Sequence, residues 1–310
     1  MLIPPRALPE NAHIAILAAS GPSDRARIES GAKFIERRGH RVTLANNIDH
    51  RYGGYLAGSD RERADELNRF LRSPEFDAFF FARGGYGAMR ILDHVDYDAI
   101  VANPRPIVGF SDVTALHQAI AIRAGIGCFH GPMVNLDFNL NSGQGLSPDL
   151  EQWFWSMLAG DAPLTRTFTS DDVIAEGEVT GELFGGCLAL TTSLVGTAYD
   201  YWKDDGIWFW EDVDEPVYRI DRMLTHLRLS GRMQRVRGVV IGALKDCGND
   251  AEMQLFLRDF FAPFGIPVIS NFPIGHHGDN LLMPIGRTVR LSTFDHTFTV
   301  TEPAVVHHER

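Results

Sequence analysis

Four short stretches hold residues whose types and spacing could do chemistry. The first is "RPIVGFSDVTALHQAI", where an apolar run from Pro106 to Phe110 gives way abruptly to a helical pattern at Ser111. A serine on a tight strand-to-helix turn stands above the sheet edge. The free amides and partial positive charge of the helix N-terminus lie beside it, placed to hold an oxyanion. That is the logic of the G-x-S-x-G nucleophile elbow. The string Gly109-Phe110-Ser111-Asp112-Val113 lacks the second glycine, so the match is partial. Ser and Asp are also favoured helix N-caps, and a purely capping Ser111 accounts for the stretch as well.

The second stretch is "FFFARGGYGAMRIL". An apolar strand ends at Arg83, and Gly84, Gly85 and Gly87 follow. Glycines there let the backbone approach a ligand with its amides turned outward. Such a turn could cradle a phosphate or could supply an oxyanion donor beside Ser111. The P-loop and G-x-G-x-x-G spacings are absent. A tight turn that needs positive φ is the plain alternative.

An activated serine needs a base, and the base needs an orienting acid. Among 12 histidines, the two in "SNFPIGHHGDNLLMPIG" stand out, because they sit between glycines on a loop after the apolar run "IPVIS". His117 lies on the helix after Ser111 but faces away from it, as a surface or packing residue. For the acid, the apolar strand in "GIWFWEDVDEPVYRID" ends in Glu211 and Asp212, with Asp214 and Glu215 beyond. Each of these acids could equally be a solvated loop charge. No HExxH or other metal-ligand spacing is present.

The elements that must position these residues alternate in the first half. Strand patterns at 13–20, 40–45, 77–83 and 106–110 are separated by helical patterns, with Ser23 or Asp24 as the first N-cap and a helix at 59–73. A further helix is expected at 87–95 and another at 112–124, and "GCFHGP" is a candidate fifth strand. This is the βαβ rhythm of a parallel sheet, whose ligand crevice lies beyond the carboxyl ends of the strands. The rhythm fades after about residue 140. "DAPLTRTFTSDDVIAEGEV" reads as strand-like and polar, a candidate linker. The second half mixes strands at 207–210, 237–244 and 288–300 with amphipathic helices at 217–231 and 251–264. The fold class is therefore α/β: an N-terminal parallel-sheet, flavodoxin-like domain (1–165) and a C-terminal β-rich, α+β domain (166–310).

Composition narrows the function classes. A net charge of -11 argues against a nucleic-acid backbone as the main ligand. Cys128, Cys187 and Cys247 are isolated and odd in number, which indicates neither a disulfide framework nor a zinc site and suits a reducing compartment. No run approaches the roughly 18 apolar residues of a membrane span. A cytoplasmic protein without membrane attachment is expected.

Taken in order, the blocks "AASGPSD", "ARGGYGAMRIL", "GFSDVTALH", "HGPM", "GELFGGCLALTTSLVGT", "EDVDEPVYRIDRMLTHL" and "PIGHHGDN" resemble the LD-carboxypeptidase family of serine peptidases. This family holds the murein tetrapeptide carboxypeptidases and their microcin-immunity relatives. The resemblance implies Ser111 as nucleophile, Glu211 as triad acid, and His276, rather than His277, as base. It implies the backbone N–H groups of Gly85 and Asp112 as the oxyanion hole, with no metal or organic cofactor. The implied substrate is a murein tetrapeptide losing its terminal D-Ala in peptidoglycan recycling, and the implied assembly is a homodimer. Cys187 departs from the asparagine common at its position. Two alternatives stand beside this reading. One is a microcin-immunity-type peptidase acting on peptidyl-nucleotide amides. The other is a nucleotide-binding α/β protein using the GGYG turn, in which Tyr86 replaces the aspartate of GGDG sites.

Overall fold

The computed structural model describes residues 1–138, 145–276 and 278–307. Its first half builds a sheet from β1 (His13–Leu17), α1 (Arg25–Glu36), β2 (Arg41–Leu44), α2 (Asp60–Arg72), β3 (Ala78–Phe81), α3 (Tyr97–Ala102), β4 (Ile107–Gly109), α4 (Thr114–Arg123) and β5 (Phe129–His130). These strands run parallel in the order β5-β4-β3-β1-β2. The central strands are apolar at nearly every position because both faces are covered. Asp24 caps α1, and Ser59 and Glu62 form a capping box at α2. The expected helix at 87–95 winds instead as a tighter 3₁₀ segment, Ala88–His94.

The second half adds α5 (Pro148–Ala159), β6 (Leu164–Thr167), β7 (Val173–Ala175), β8 (Glu178–Cys187), α6 (Leu188–Ser193), β9 (Gly206–Val213), α7 (Val217–Leu229), β10 (Val236–Lys245), α8 (Asp250–Phe261), β11 (Val268–Ile269), β12 (Met283–Pro284), β13 (Thr288–Ser292) and β14 (Thr297–Val300). Its sheet has the order β6-β14-β13-β8-β9-β10-β11-β7. The central strands β8, β9, β10 and β11 are parallel, and antiparallel strands flank them. The strand-like polar segment forms both edge strands, β6 and β7, rather than a linker. The alternation of part-buried and exposed residues in β6 is that of an edge strand with one wet face, while in β7 Ile174 is buried between part-buried neighbours. The run at 288–300 is a hairpin rather than one strand, and β12 crosses to the first sheet to pair with β5.

Two apolar clusters fill the molecule. One spans the first sheet and the near face of the second; the other lies between the second sheet and its helices. Strand β9 feeds both by simple alternation. Ile207 and Phe209 enter the first cluster, while Trp208 and Trp210 enter the second. Residue 211 therefore points toward the first sheet. Helix α4 is buried from Thr114 to Ala121, wedged between the two sheets. Its Thr114 Oγ1 accepts the Cys187 N–H at 3.0 Å, and a Cβ on Gly186 would lie 2.5 Å from the Thr114 methyl. Gly186 thus lets the second sheet close on the helix that follows Ser111. Within this helix His117 is 1% exposed, a packing residue rather than a surface one.

Candidate active site

Strand β4 delivers Ser111. Phe110 is still extended, with φ -148°, and Ser111 then turns to φ +60° before the 3₁₀ turn Ser111–Val113 leads into α4. The left-handed region costs an L-residue about 1–2 kcal/mol, a strain that persists only where the surroundings impose it. Glycine at 109 makes the elbow tight, since a Cβ there would lie 3.0 Å from Val113 Cγ1 and 3.1 Å from Phe81. The missing second glycine of the elbow motif is this Val113, which packs over Gly109 instead.

The glycine turn after β3 lies directly against the serine. A Cβ on Gly84 would stand 2.9 Å from Ser111 Cβ, 3.0 Å from its Oγ and 3.2 Å from the Asp112 nitrogen. The Gly84–Gly85 peptide is therefore beside the hydroxyl. Gly85 itself adopts φ +101°. Among the backbone hydrogen bonds of the described residues, neither the Gly85 nor the Asp112 amide is used. Buried groups brace the far end of this turn. The Asp112 carboxylate accepts the Ala88 N–H at 2.7 Å, and Arg63, wholly buried, donates to the Gly87 carbonyl at 2.8 Å. Asp112 thus does not cap its own helix; its side chain is turned to the neighbouring strand's loop. Burial raises its carboxyl above the usual range, with the Ala88 amide and Arg63 pulling the other way.

The second sheet supplies the partners. Glu211 lies near the end of β9 with a wholly buried side chain. His276 sits on the loop after β11. Its Nδ1 lies 2.6 Å from Glu211 Oε2, and its Nε2 lies 3.1 Å from Ser111 Oγ. A carboxylate only accepts, so Nδ1 carries the proton and Nε2 is left to accept the serine O–H. Burial presses the imidazole pKa down, but the hydrogen bond and charge of Glu211, with Asp212 and Asp137 behind, outweigh it and leave it raised. The loop is fixed by Asn280, whose Oδ1 accepts the Gly275 N–H at 2.9 Å. A Cβ on Gly275, at φ +98°, would run into Glu211. His277 lies outside the described residues.

Asp212 points the other way from Glu211, accepting the Ala189 N–H at 2.8 Å at the start of α6 beside Cys187 Sγ. Burial and the Glu211 charge push its carboxyl up to about 7. The three cysteines are buried and free. Among the described residues no group of three or more His, Cys, Asp or Glu could hold a metal, and no helix is long and apolar enough to cross a membrane. The structure thus brings Ser111, His276 and Glu211 into one hydrogen-bonded series, with Gly85 and Asp112 beside the hydroxyl. Sequence reasoning missed Arg63, Asn280 and the Asp112 carboxylate as braces.

A serine, an imidazole and a carboxylate in series, next to unspent amides, define a serine-hydrolase type of site on a two-sheet α/β frame. Comparison with known proteins narrows the class. Residues 14–131 match the LD-carboxypeptidase N-terminal domain, and residues 180–291 match the LD-carboxypeptidase C-terminal domain. A putative carboxypeptidase of Streptomyces coelicolor is 35% identical over 98% of this chain and 98% of its own. A probable murein peptide carboxypeptidase of Bacillus subtilis is 30% identical over 96% of this chain and 93% of its own. A solved structure of the microcin-immunity protein MccF, in complex with glutamyl sulfamoyl guanosine, superposes with a TM-score of 0.86 at 22% identity. It covers 98% of this chain and 99% of that one, a likeness of fold. The chain belongs to the LD-carboxypeptidase family and is a serine-type carboxypeptidase hydrolase.

Proposed function

We propose that this protein removes the terminal D-Ala from murein tetrapeptides by cutting the L,D amide bond, as a step of peptidoglycan recycling in the cytoplasm. The residues 1–165 supply the nucleophile Ser111 and the oxyanion donors, the N–H groups of Gly85 and Asp112. The residues 166–310 supply the base His276 and the acid Glu211. The observation that carries this reading is the continuous series Ser111 Oγ, His276 Nε2 and Nδ1, Glu211 Oε2, at 3.1 and 2.6 Å.

The chemistry follows from that series. Ser111 Oγ attacks the amide carbon while its proton passes to His276 Nε2. Glu211 holds the imidazole tautomer and stabilises the imidazolium. The carbonyl oxygen gains charge, which the two amides take up, each worth about 10²- to 10³-fold in rate in comparable sites. The C–N bond then breaks, and Nε2 returns the proton to the leaving nitrogen. Water, activated by His276, hydrolyses the acyl-enzyme and frees Ser111.

The test is release of D-Ala from an L-Ala-γ-D-Glu-diamino acid-D-Ala tetrapeptide, followed by chromatography. Wild-type protein should release it, and Ser111→Ala should not, with the circular dichroism spectrum unchanged. Undiminished release by Ser111→Ala would remove the serine from the mechanism. A wild type that spares the tetrapeptide would remove the substrate.

A further inference from the structure

A cavity of 340 Å³ opens on the His276 side of the site, lined among others by Phe110, Asp137, Val213, Gly275 and His276, and by Lys245. Ser111 and the glycine turn are not part of its wall, so it lies away from the oxyanion side. That is where the imidazole would hand a proton to a leaving amine. The volume leaves ample room for one small amino acid.

Lys245 reaches this cavity through a break in strand order. Along β10, Val239 and Ile241 pack into the second apolar cluster and Val240 into the first. Unbroken alternation would send residue 245 to the side of 239 and 241. The pairing with β9 slips by one residue between Ile241 and Leu244, so that Leu244 packs against the second cluster and Lys245 pairs with Val213. A one-residue slip exchanges the two faces of a strand, and bulges re-aim side chains beside active sites. The Asp214 N–H donates to the Lys245 carbonyl at 3.0 Å and holds the strand end in place.

The charges in the cavity are unequal in their commitments. Asp137 Oδ2 already accepts the Met133 N–H at 2.7 Å, and burial pushes its carboxyl up to about 7. His276 is engaged with Glu211 and Ser111. No ion pair among the described residues uses the Lys245 ammonium.

We propose that Lys245 binds the free carboxylate of the leaving amino acid and so makes the enzyme a carboxypeptidase rather than an endopeptidase. This rests on the function proposed above. The ligand class is an α-amino acid residue with a free carboxylate and a small side chain, held between the Lys245 ammonium and the apolar wall of Phe110 and Val213.

The test compares two tetrapeptides that differ only in ending as D-Ala acid or D-Ala amide. For wild-type protein kcat/KM should favour the acid by roughly 10- to 100-fold, the range of one charge-assisted contact. Lys245→Met should collapse this preference to about unity, mostly through KM, and Lys245→Arg should restore part of it. Equal loss on acid and amide, or a preference that survives in Lys245→Met, would overturn the proposal and leave the proposed function standing. A wild type that releases D-Ala from neither peptide would overturn that function and this inference with it.

Discussion

Glu211 Oε2 lies 2.6 Å from His276 Nδ1, although 65 residues separate the two and they arrive on different elements of the second sheet. The contact is wholly buried on the Glu211 side, and it leaves the His276 pKa raised despite the burial that presses it down. Two consequences follow for Glu211→Gln. The amide can present a donor to Nδ1 and favour the wrong tautomer, which in a comparable triad costs about 10⁴ in kcat. The second consequence concerns pH. His276 accepts the serine proton only when neutral, so activity is lost as pH falls through its pKa. The acid limb of kcat/KM should lie above the ordinary histidine value of about 6.5. In Glu211→Gln the residual activity should show that limb at lower pH. A limb that stays in place would show that Glu211 does not set the charge of His276.

Ser111 stores strain that its function needs. At φ +60° an alanine is as unfavourable as a serine, whereas glycine is free there. Ser111→Gly should therefore be more stable than Ser111→Ala by about 1 kcal/mol, the left-handed penalty less the extra freedom of glycine in the unfolded chain. Both variants should be inactive. Urea unfolding of the pair measures the difference directly. Equal midpoints would mean that the turn relaxes when the hydroxyl is removed.

Much of this site can be read from the residues alone, and the reasons are local. "GIWFWE" alternates as a buried strand, so Glu211 shares a face with Ile207 and Phe209, and a carboxylate on an apolar face needs a partner. The abrupt end of "PIVGF" marks the elbow, and the glycines around His276 mark a loop free to reach across. Other features depend on tertiary closure. Arg63 sits in an amphipathic helix among charged neighbours, and nothing local distinguishes the one arginine of that helix that is buried. The slip in β10 is visible only once β9 is paired beside it, so Lys245 looks like an ordinary strand end. The polar run from 161 to 179 lacks a continuous apolar face because its strands are sheet edges. Strand β12 is two residues long, and its partner β5 lies about half the chain away, Met283 opposite His130.

Gly84 offers a sharp geometric check. An alanine Cβ would enter within 2.9 Å of Ser111 Cβ and 3.2 Å of the Asp112 nitrogen, and backbone on both sides limits relaxation. Arg63 and Asp112 hold the far end of the same turn. Gly84→Ala should move the Gly85 amide by a few tenths of an ångström and lower kcat by at least about 10²-fold, as for loss of one oxyanion donor. KM should change little and the protein should remain folded. A variant with wild-type kcat would show that this peptide takes no part in the oxyanion site.

The two buried histidines behind the site give the last prediction. His117 and His130 are both essentially without exposure, and among the described residues neither ring nitrogen of either finds a hydrogen-bond partner. His130 packs edge-on against Phe110 and Phe209, at 5.8 and 5.1 Å between centroids. Burial drives the His117 pKa down to about 3 and that of His130 well below its ordinary value, with His117 and His276 adding to the effect on the latter. The folded state thus keeps both rings neutral, whereas the unfolded chain protonates them below about 6.5. Each ring therefore removes up to about 1.4 kcal/mol of stability per pH unit as pH falls below that value, down to its folded pKa. Asp137 and Asp212, both raised to about 7, act in the opposite direction over the same range, because the folded state holds their protons more tightly. The net slope of the wild type mixes these terms, so the informative quantity is a difference. His130→Phe keeps the aromatic contacts and removes one titrating group. Its stability relative to wild type, from urea unfolding at pH 7 and pH 5, should improve by about 1–2 kcal/mol on acidification. His117→Leu should do the same. A stability difference that is flat with pH would mean that the buried imidazoles are protonated alike in the folded and unfolded states.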